Sequence, residues 1–378
     1  MLLSPEHEER RDSFREFARK HIEPHAADWD RAGALPVELV GEFAAHGYLG
    51  ALIPARYGGQ AFDAVRFGLL NEEIGAACSS VRSLLTVHSM VAHSIARWGG
   101  EALRERWLPR LAGGTAVGAF ALTEEGSGSD AASMAAEAVA DGDGYRLTGT
   151  KKWITYGQRA DVFLVFARCA GGPAAFVVER SAPGVAVEPV DGMLGTRASM
   201  VAEVRLADVP VSAEALVGRP GFGIAAVATS ALDIGRYSVA WGCVGILAAA
   251  LRISLAQARD RVRFGAPIAD HQLVQRMLAD MSTGLAAARL LCLEAGRLKD
   301  AGDPRTINAT WTAKYFASCQ AFRAAADAVQ IAGAAGCADG HPAGRLLRDA
   351  KVMEIIEGST QLQQVYLARA AYQDTSAL

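Results

Sequence analysis

With 378 residues, 51% of them hydrophobic and 21% charged, the chain has the length of two or three globular domains and enough apolar content for a large core. A net charge of −3 offers no basic field for nucleic acid, and six dispersed cysteines without a Cys-x-x-Cys pair predict reduced thiols in a cytoplasmic protein rather than a disulfide framework. The eight histidines show no metal-ligand spacing, so no metal site is expected.

The N-terminus, MLLSPEHEERRDSF, turns charged at once and does not read as a signal peptide. Ser4-Pro5 followed by Glu6 and Glu8 is a helix-start signal, and Phe14, Phe17, Ala18 and Ile22 recur at helical spacing. Glycines and a proline in HGYLGALIPARYGGQAFD predict a loop, after which AVRFGLLNEEIGAAC and TVHSMVAHSIARWG read as helices. The texture changes near Gly113. Short runs rich in Val and Phe (AVGAFALT, AEAVADGDGYRLTGTKKWIT, DVFLVFARCA, AAFVVERSAPGVAVEPV, SMVAEVRLADVPV), separated by Asp-Gly, Gly-Gly and Pro-Gly turns, predict antiparallel strands in a small barrel or sandwich. After GRPGFG the pattern is helical to the end, with a helix from Ala225 to about Arg261 long enough for an antiparallel bundle. Within it, VAWGCVGILAAALRISLA is the longest apolar stretch. Arg252 interrupts it and Arg236 precedes it, so a buried core helix is expected and no membrane span. The fold class is therefore α+β: a helical N-terminal domain (1–113), a middle β domain (114–222) and a C-terminal helical bundle (223–378), without internal repeats.

Five segments carry chemical possibilities. FALTEEGSGSD follows a strand and offers backbone N–H groups and hydroxyls to a planar polar ligand or a phosphate, or is simply a polar loop. It is not Gly-x-Gly-x-x-Gly entering a helix, so a Rossmann nucleotide site is not indicated. In KKWITYG, Trp153 stands beside Thr155, either as a structural indole or as one face of an aromatic cofactor site. RDRVRFGAPIADHQ sets Arg259, Arg261 and Arg263 before a Phe-Gly break, as a solvated helix end or as a bidentate diphosphate site. QIAGAAG is small enough for another backbone or a ligand to approach closely. Last, Glu357 comes behind Val352, Ile355 and Ile356 and is followed directly by Gly358.

Taken together in this order, with YLGALIPARYGGQAFD, LADM and RDAKVMEIIEGSTQ, these segments resemble the acyl-CoA dehydrogenase family over almost the whole chain. The resemblance implies FAD, a homo-oligomer (dimer or tetramer), and Glu357 as the catalytic carboxylate. A carboxylate set against apolar side chains loses solvation, its pKa rises toward neutrality, and it becomes a useful general base. The Gly358 break would project it out of its helix, and Thr360 and Gln363 have capping-box spacing for the next one. By the same resemblance Phe120, Leu122, Thr123, Gly128 and Ser129 wrap the flavin edge, and Trp153 and Thr155 hold its other side. Arg261, Phe264, His271 and Gln272 come from a neighbouring subunit to the diphosphate and ribityl region, and Gln330, Gly333, Ser359 and Gln361 fall at adenine-side positions. Asp233 and Arg236 match residues lining the acyl-thioester channel, and Ser129 also faces the thioester arm.

Four positions depart from the family pattern. Glu125 replaces a proline, Tyr156 an asparagine, Ala334 a glycine and Cys337 an aromatic near the channel. None removes the base or the flavin cradle, but they speak against a straight-chain substrate. A narrower resemblance, carried by CSSVRSLLT, GRYSVAWGCVGIL, DHQLV and DAKVMEIIEGS, is to the branch of the family found in polyketide gene clusters, whose members help make the methoxymalonyl extender unit on an acyl carrier protein. It implies oxidation of a carrier-bound 2-hydroxy-3-oxopropionyl group to hydroxymalonyl. The alternatives are an ordinary short- or branched-chain acyl-CoA dehydrogenase of catabolism, a flavin monooxygenase on the same fold, and a non-catalytic assembly subunit.

Overall fold

The computed structural model describes residues 3–373. Helices α1 (Pro5–His21), α2 (Ala26–Ala32), α3 (Glu38–Ala45), α4 (Ala64–Ala77), α5 (Ser79–Trp98) and α6 (Glu101–Ala112) form the first unit. The predicted start of α1 is in place: Ser4 Oγ accepts from the His7 N–H at 3.2 Å, with Pro5 in the first turn. Asp63 caps α4 in the same way, accepting from the Arg66 N–H at 2.7 Å. Residues 46–63 form the expected loop, with one short 3₁₀ turn at Ala55–Tyr57.

The middle unit comprises β1 (Gly118–Ala121), β2 (Glu137–Asp141), β3 (Gly144–Ile154), β4 (Val162–Ala167), β5 (Ala174–Glu179), β6 (Val185–Pro189), β7 (Ala202–Ser212) and β8 (Leu216–Val217). They make two four-stranded sheets, ordered β1-β4-β5-β8 and β2-β3-β7-β6. Ala119, Phe163, Val165 and Phe176 of the first share one core with Leu147, Val204 and Leu206 of the second, so the unit is a sandwich. One expectation is corrected. The strands are not all antiparallel, because β1 pairs parallel to β4, Gly118 against Val162. Between them the chain crosses to the other sheet to build the β2–β3 hairpin, and that return path supplies the crossover a parallel pair requires.

A π-helical turn (Gly223–Ala228) leads into α7 (Thr229–Asp260), followed by β9 (Val262–Arg263), β10 (Ala266–Pro267), α8 (Gln272–Asp300), α9 (Thr306–Ala332), α10 (Pro342–Met353) and α11 (Thr360–Gln373). The long apolar stretch lies in α7 and packs inside the protein, with Tyr237, Trp241, Cys243 and Val244 fully buried. Phe264 and Gly265, both at positive φ (51° and 81°), make the tight turn between β9 and β10. Two helix-end expectations are corrected. α10 stops at Met353, four residues before Glu357, rather than at Gly358. The cap of α11 is Ser359, whose Oγ accepts from the Leu362 N–H at 3.3 Å, while Gln363 Nε2 donates to the Gly358 carbonyl at 2.9 Å instead of closing a box with Thr360.

Candidate active site

Beyond α10 the backbone turns sharply, with Glu357 at φ +55° and Gly358 at +97°. The left-handed region is open to glycine but costs other residues about 1–3 kcal/mol, and it persists where the surroundings over-determine it. Here they do. Arg236 Nε of α7 donates to the Glu357 carbonyl at 2.9 Å, and Lys314 Nζ of α9 donates to the Gly358 carbonyl at 2.8 Å, beside Gln363. These tethers hold the turn in place, with the Glu357 side chain against α7.

There the carboxylate fits against Gly235. A Cβ at that position would overlap Glu357 Oε2 and stand 2.9 Å from Met90 Sδ, so glycine is required by space. Oε2 is buried without a hydrogen-bond partner. Burial pushes the Glu357 carboxyl up to about 7, against the opposing pull of Arg236, Arg82 and Lys314. A base near half-ionisation at neutral pH, with an unpartnered oxygen, is suited to taking a proton from a ligand. Burial also lowers the Lys314 ammonium to about 8.

The segment after β1 is built around a buried ion pair. Lys151 is fully buried on β3 and donates to Glu124 Oε1 at 2.7 Å and to the Leu122 carbonyl at 3.1 Å. Glu124 also accepts from the Ala135 and Ala136 N–H groups, at 2.6 and 3.0 Å, which closes the loop on itself. Burial pushes the Glu124 carboxyl upward, but the bonds from Lys151, Ala135 and Ala136 outweigh it and hold it below the ordinary carboxylate range. The pair thereby fixes Phe120 and Leu122, both buried, and Thr123, whose carbonyl accepts from the Lys152 N–H at 2.9 Å. Gly128 and Ser129 lie exposed further along this loop, and Ser127 Oγ donates to the Asp130 carbonyl at 2.7 Å. Near the end of β3 the pairing with β7 slips between Lys151 and Ile154, and Trp153 takes φ +62°. Such a bulge re-aims a side chain. It leaves the Trp153 indole 47% exposed, close to half-buried Thr155. The half-exposed Trp153 indole on a strained backbone suits one face of a planar aromatic group such as a flavin, and the orphaned Glu357 oxygen suits a reacting ligand.

A second cluster forms at the other end of α7. Arg261 Nη1 donates to the Ala332 carbonyl at 2.8 Å and lies 3.3 Å from where a Cβ on Gly333 would be. Phe264 is 98% exposed at the β9–β10 turn, edge-on to His271, and Gln272 and Gln330 are exposed. Arg236 and Arg261 are about 25 residues apart on α7, about 37 Å at the helical rise of 1.5 Å per residue. Glu357, tethered to Arg236, and Arg261 therefore lie far apart along α7 within one chain. Of the remaining predicted residues, Ser359 caps α11, Gln361 is exposed on its first turn, and Asp233 pairs with Lys299.

Among the departures from the family pattern, Glu125 pairs with Lys152 at 2.8 Å on the surface, Tyr156 is buried at φ +58°, and Ala334 and Cys337 are exposed. Sequence reasoning missed Lys314 and Arg82. Both are buried, but their helices also carry exposed arginines, Arg323 on α9 and Arg97 on α5, and nothing local tells the buried charge from the solvated one.

The acyl-CoA dehydrogenase N-terminal, middle and C-terminal domain families match residues 4–115, 119–209 and 222–372. The chain is 38% identical over 374 residues to the probable acyl-CoA dehydrogenase YngJ of Bacillus subtilis, covering 97% of this chain and 98% of that protein. It superposes with a TM-score of 0.89 and 36% identity on FkbI, a protein for biosynthesis of the methoxymalonyl extender unit of the polyketide Fk520, over 96% of this chain and 99% of the other. The prolyl acyl carrier protein oxidase AnaB superposes with a TM-score of 0.93 at 26% identity, over 98% of this chain and 99% of the other. The chain belongs to the acyl-CoA dehydrogenase family, as an FAD-dependent oxidoreductase acting on acyl thioesters.

Proposed function

We propose that this protein oxidises a short acyl group carried on an acyl carrier protein, converting 2-hydroxy-3-oxopropionyl to hydroxymalonyl for a methoxymalonyl extender unit. The observation that carries the oxidation is Glu357, a buried carboxylate with a free oxygen and a pKa near neutrality. It takes a hydroxyl proton from the hydrated aldehyde carbon while Arg236 and Lys314 hold its backbone still. Bound FAD supplies the hydride acceptor. Trp153, Thr155 and the loop pinned by Glu124–Lys151 would hold the ring and exclude water. The likenesses to FkbI and AnaB support the carrier protein as substrate. The likeness to YngJ favours a second reading, α,β-dehydrogenation of an acyl-CoA, in which Glu357 removes the acidified α-proton instead.

Stopped-flow flavin reduction separates the two. An acyl carrier protein lacks the adenosine 3′-phosphate of CoA and docks through its commonly acidic surface, an attraction that salt screens. The carrier thioester is expected to react faster than the matching CoA ester, with an advantage that shrinks as salt rises. Equal rates, or a preference for CoA, favour the second reading.

We further propose that the site is completed by a second copy of the chain, whose Arg261, Phe264 and Gln272 reach the diphosphate of the first copy's flavin. The separation along α7 and the bare Phe264 support this. Arg261→Ala is then expected to weaken flavin retention by about 1.5–3 kcal/mol, the worth of a charge-assisted hydrogen bond. A monomer by light scattering that still holds flavin tightly contradicts it.

A further inference from the structure

The seam between α5 and α7 is closed on one side of the base and open on the other. Residues 79–92 of α5 and 234–247 of α7 are buried throughout, and Glu357 Oε2 meets this pair at Gly235 and Met90. Going outward, toward the end of α5 and the start of α7, the first partly exposed residues are His93 and Asp233. Along these two helices the way from solvent to Glu357 is therefore at this end.

Two cations are fixed there. α5 finishes with Arg97 and Trp98, about 10 Å beyond Met90 at the helical rise. Trp98 Nε1 donates to Ser230 Oγ in the first turn of α7 at 2.9 Å, and the Trp98 carbonyl accepts from the Gly218 N–H at 2.9 Å. From Gly218 the chain turns through positive φ at Gly218 and Gly221 (81° and 83°), and the Gly221 and Gly223 N–H groups pin it to the Pro173 carbonyl at 3.0 and 2.9 Å. This turn sets the Arg219 guanidinium 4.0 Å from the centre of the Phe222 ring. The Arg97 guanidinium lies 5.2 Å from that of Trp98, and the two rings meet edge to face at 6.5 Å. Both arginines are exposed, and neither pairs with a carboxylate among the described residues, whereas Arg104 and Lys299 are taken by Glu101 and Asp233. Aromatic faces rather than acids hold them, so they meet a partner with their charge free and little side-chain freedom left to lose.

We propose that Arg97 and Arg219 form the docking surface for an acidic acyl carrier protein, which sits beside the open end of the α5–α7 seam and passes its thioester arm inward to Glu357. This rests on the carrier-protein reading above and deepens it by naming the surface that receives the carrier. Surface carboxylates of the carrier supply the counter-ions that Arg97 and Arg219 lack, and a guanidinium binds a carboxylate bidentately. The distance from Arg97 inward to Met90 is within the reach of a phosphopantetheine arm, so a carrier held here delivers its acyl group without entering the fold.

The test compares binding of butyryl-carrier protein, butyryl-CoA and butyryl-pantetheine to the flavin-loaded protein, followed by perturbation of the flavin absorbance. Arg97→Glu combined with Arg219→Glu is expected to weaken binding of the carrier thioester about 10-fold or more at low salt, since each reversal exchanges an attraction for a repulsion. That loss should shrink as salt rises, and butyryl-pantetheine, which brings no protein surface, should bind as before. Arg97→Gln with Arg219→Gln, which removes the charges without introducing repulsion, is expected to give a smaller loss of the same kind and serves if the reversal does not fold. A reversed protein that grips the carrier thioester like its parent overturns the inference and leaves the carrier reading standing. The inference also fails if butyryl-CoA is lost as strongly as the carrier thioester, because the arginines then serve the phosphates of CoA. Loss of butyryl-pantetheine as well overturns it too, because the two residues then shape the channel itself. An unaltered protein that binds the carrier thioester no better than butyryl-pantetheine overturns both readings.

Discussion

Replacing Glu357 with glutamine is expected to slow flavin reduction by an acyl thioester about 10²–10⁴-fold, the usual contribution of general-base catalysis, with flavin content unchanged. The amide keeps the shape that fits against Gly235 and Met90, and the tethers from Arg236 and Lys314 act on backbone carbonyls that the substitution leaves alone. Only the proton acceptor is lost. In the unaltered protein the rate should rise with pH through about 7, as Glu357 ionises, its pKa raised by burial against the opposing pull of Arg236, Arg82 and Lys314, and that rise should vanish in the variant. Stability should move in the opposite sense. The folded carboxyl titrates near 7 against an ordinary 4.5, so between these values the unfolded chain releases its proton first, and native stability falls as pH rises. Glu357→Gln removes that loss, and its thermal midpoint should gain on the parent between pH 5 and pH 7.5. Stopped-flow reduction and thermal melts across this window check both halves. Unimpaired reduction would show that another group is the base.

The second large effect concerns Glu124. Glu124→Ala is expected to destabilise the protein by about 3–5 kcal/mol, the range for breaking a buried ion pair from one side. Lys151, with no exposure, would be left with only the Leu122 carbonyl, and the Ala135 and Ala136 N–H groups would lose their acceptor. Because the same pair fixes Phe120, Leu122 and Thr123, flavin content should fall along with the thermal midpoint. Glu124→Leu combined with Lys151→Met should recover part of the stability, since an apolar pair removes the stranded charge. A Glu124→Ala protein that melts like its parent and stays yellow would show that the loop is held by other contacts.

The outline of the fold is legible in the sequence wherever periodicity is strong. Ser4-Pro5 starts a helix, Val- and Phe-rich runs make strands, and the apolar run around Trp241 becomes the buried α7. The misreadings share one cause: they sit where distant residues decide. Nothing in β1 or β4 shows that they run parallel, because that follows from the detour through the other sheet. Ile355 and Ile356 keep helical spacing with Val352 past Met353, where α10 stops, and the turn that follows is held by Arg236 and Lys314, which bond the Glu357 and Gly358 carbonyls from α7 and α9. Ser359 and Thr360 are both good capping residues, and composition does not choose between them. Of the site, Glu357 is visible as a carboxylate in an apolar setting before a glycine. Arg82 is not, since a lone arginine in a helix reads as a solvated one until α7 is laid against it.

The length of α7 has a consequence for how the protein behaves in solution. If each flavin is gripped at one end by one copy and at the other end by the next, cofactor binding and subunit association form a single equilibrium governed by mass action. Dilution alone would then loosen the flavin without any change of sequence or pH, and excess flavin would draw dissociated chains back together.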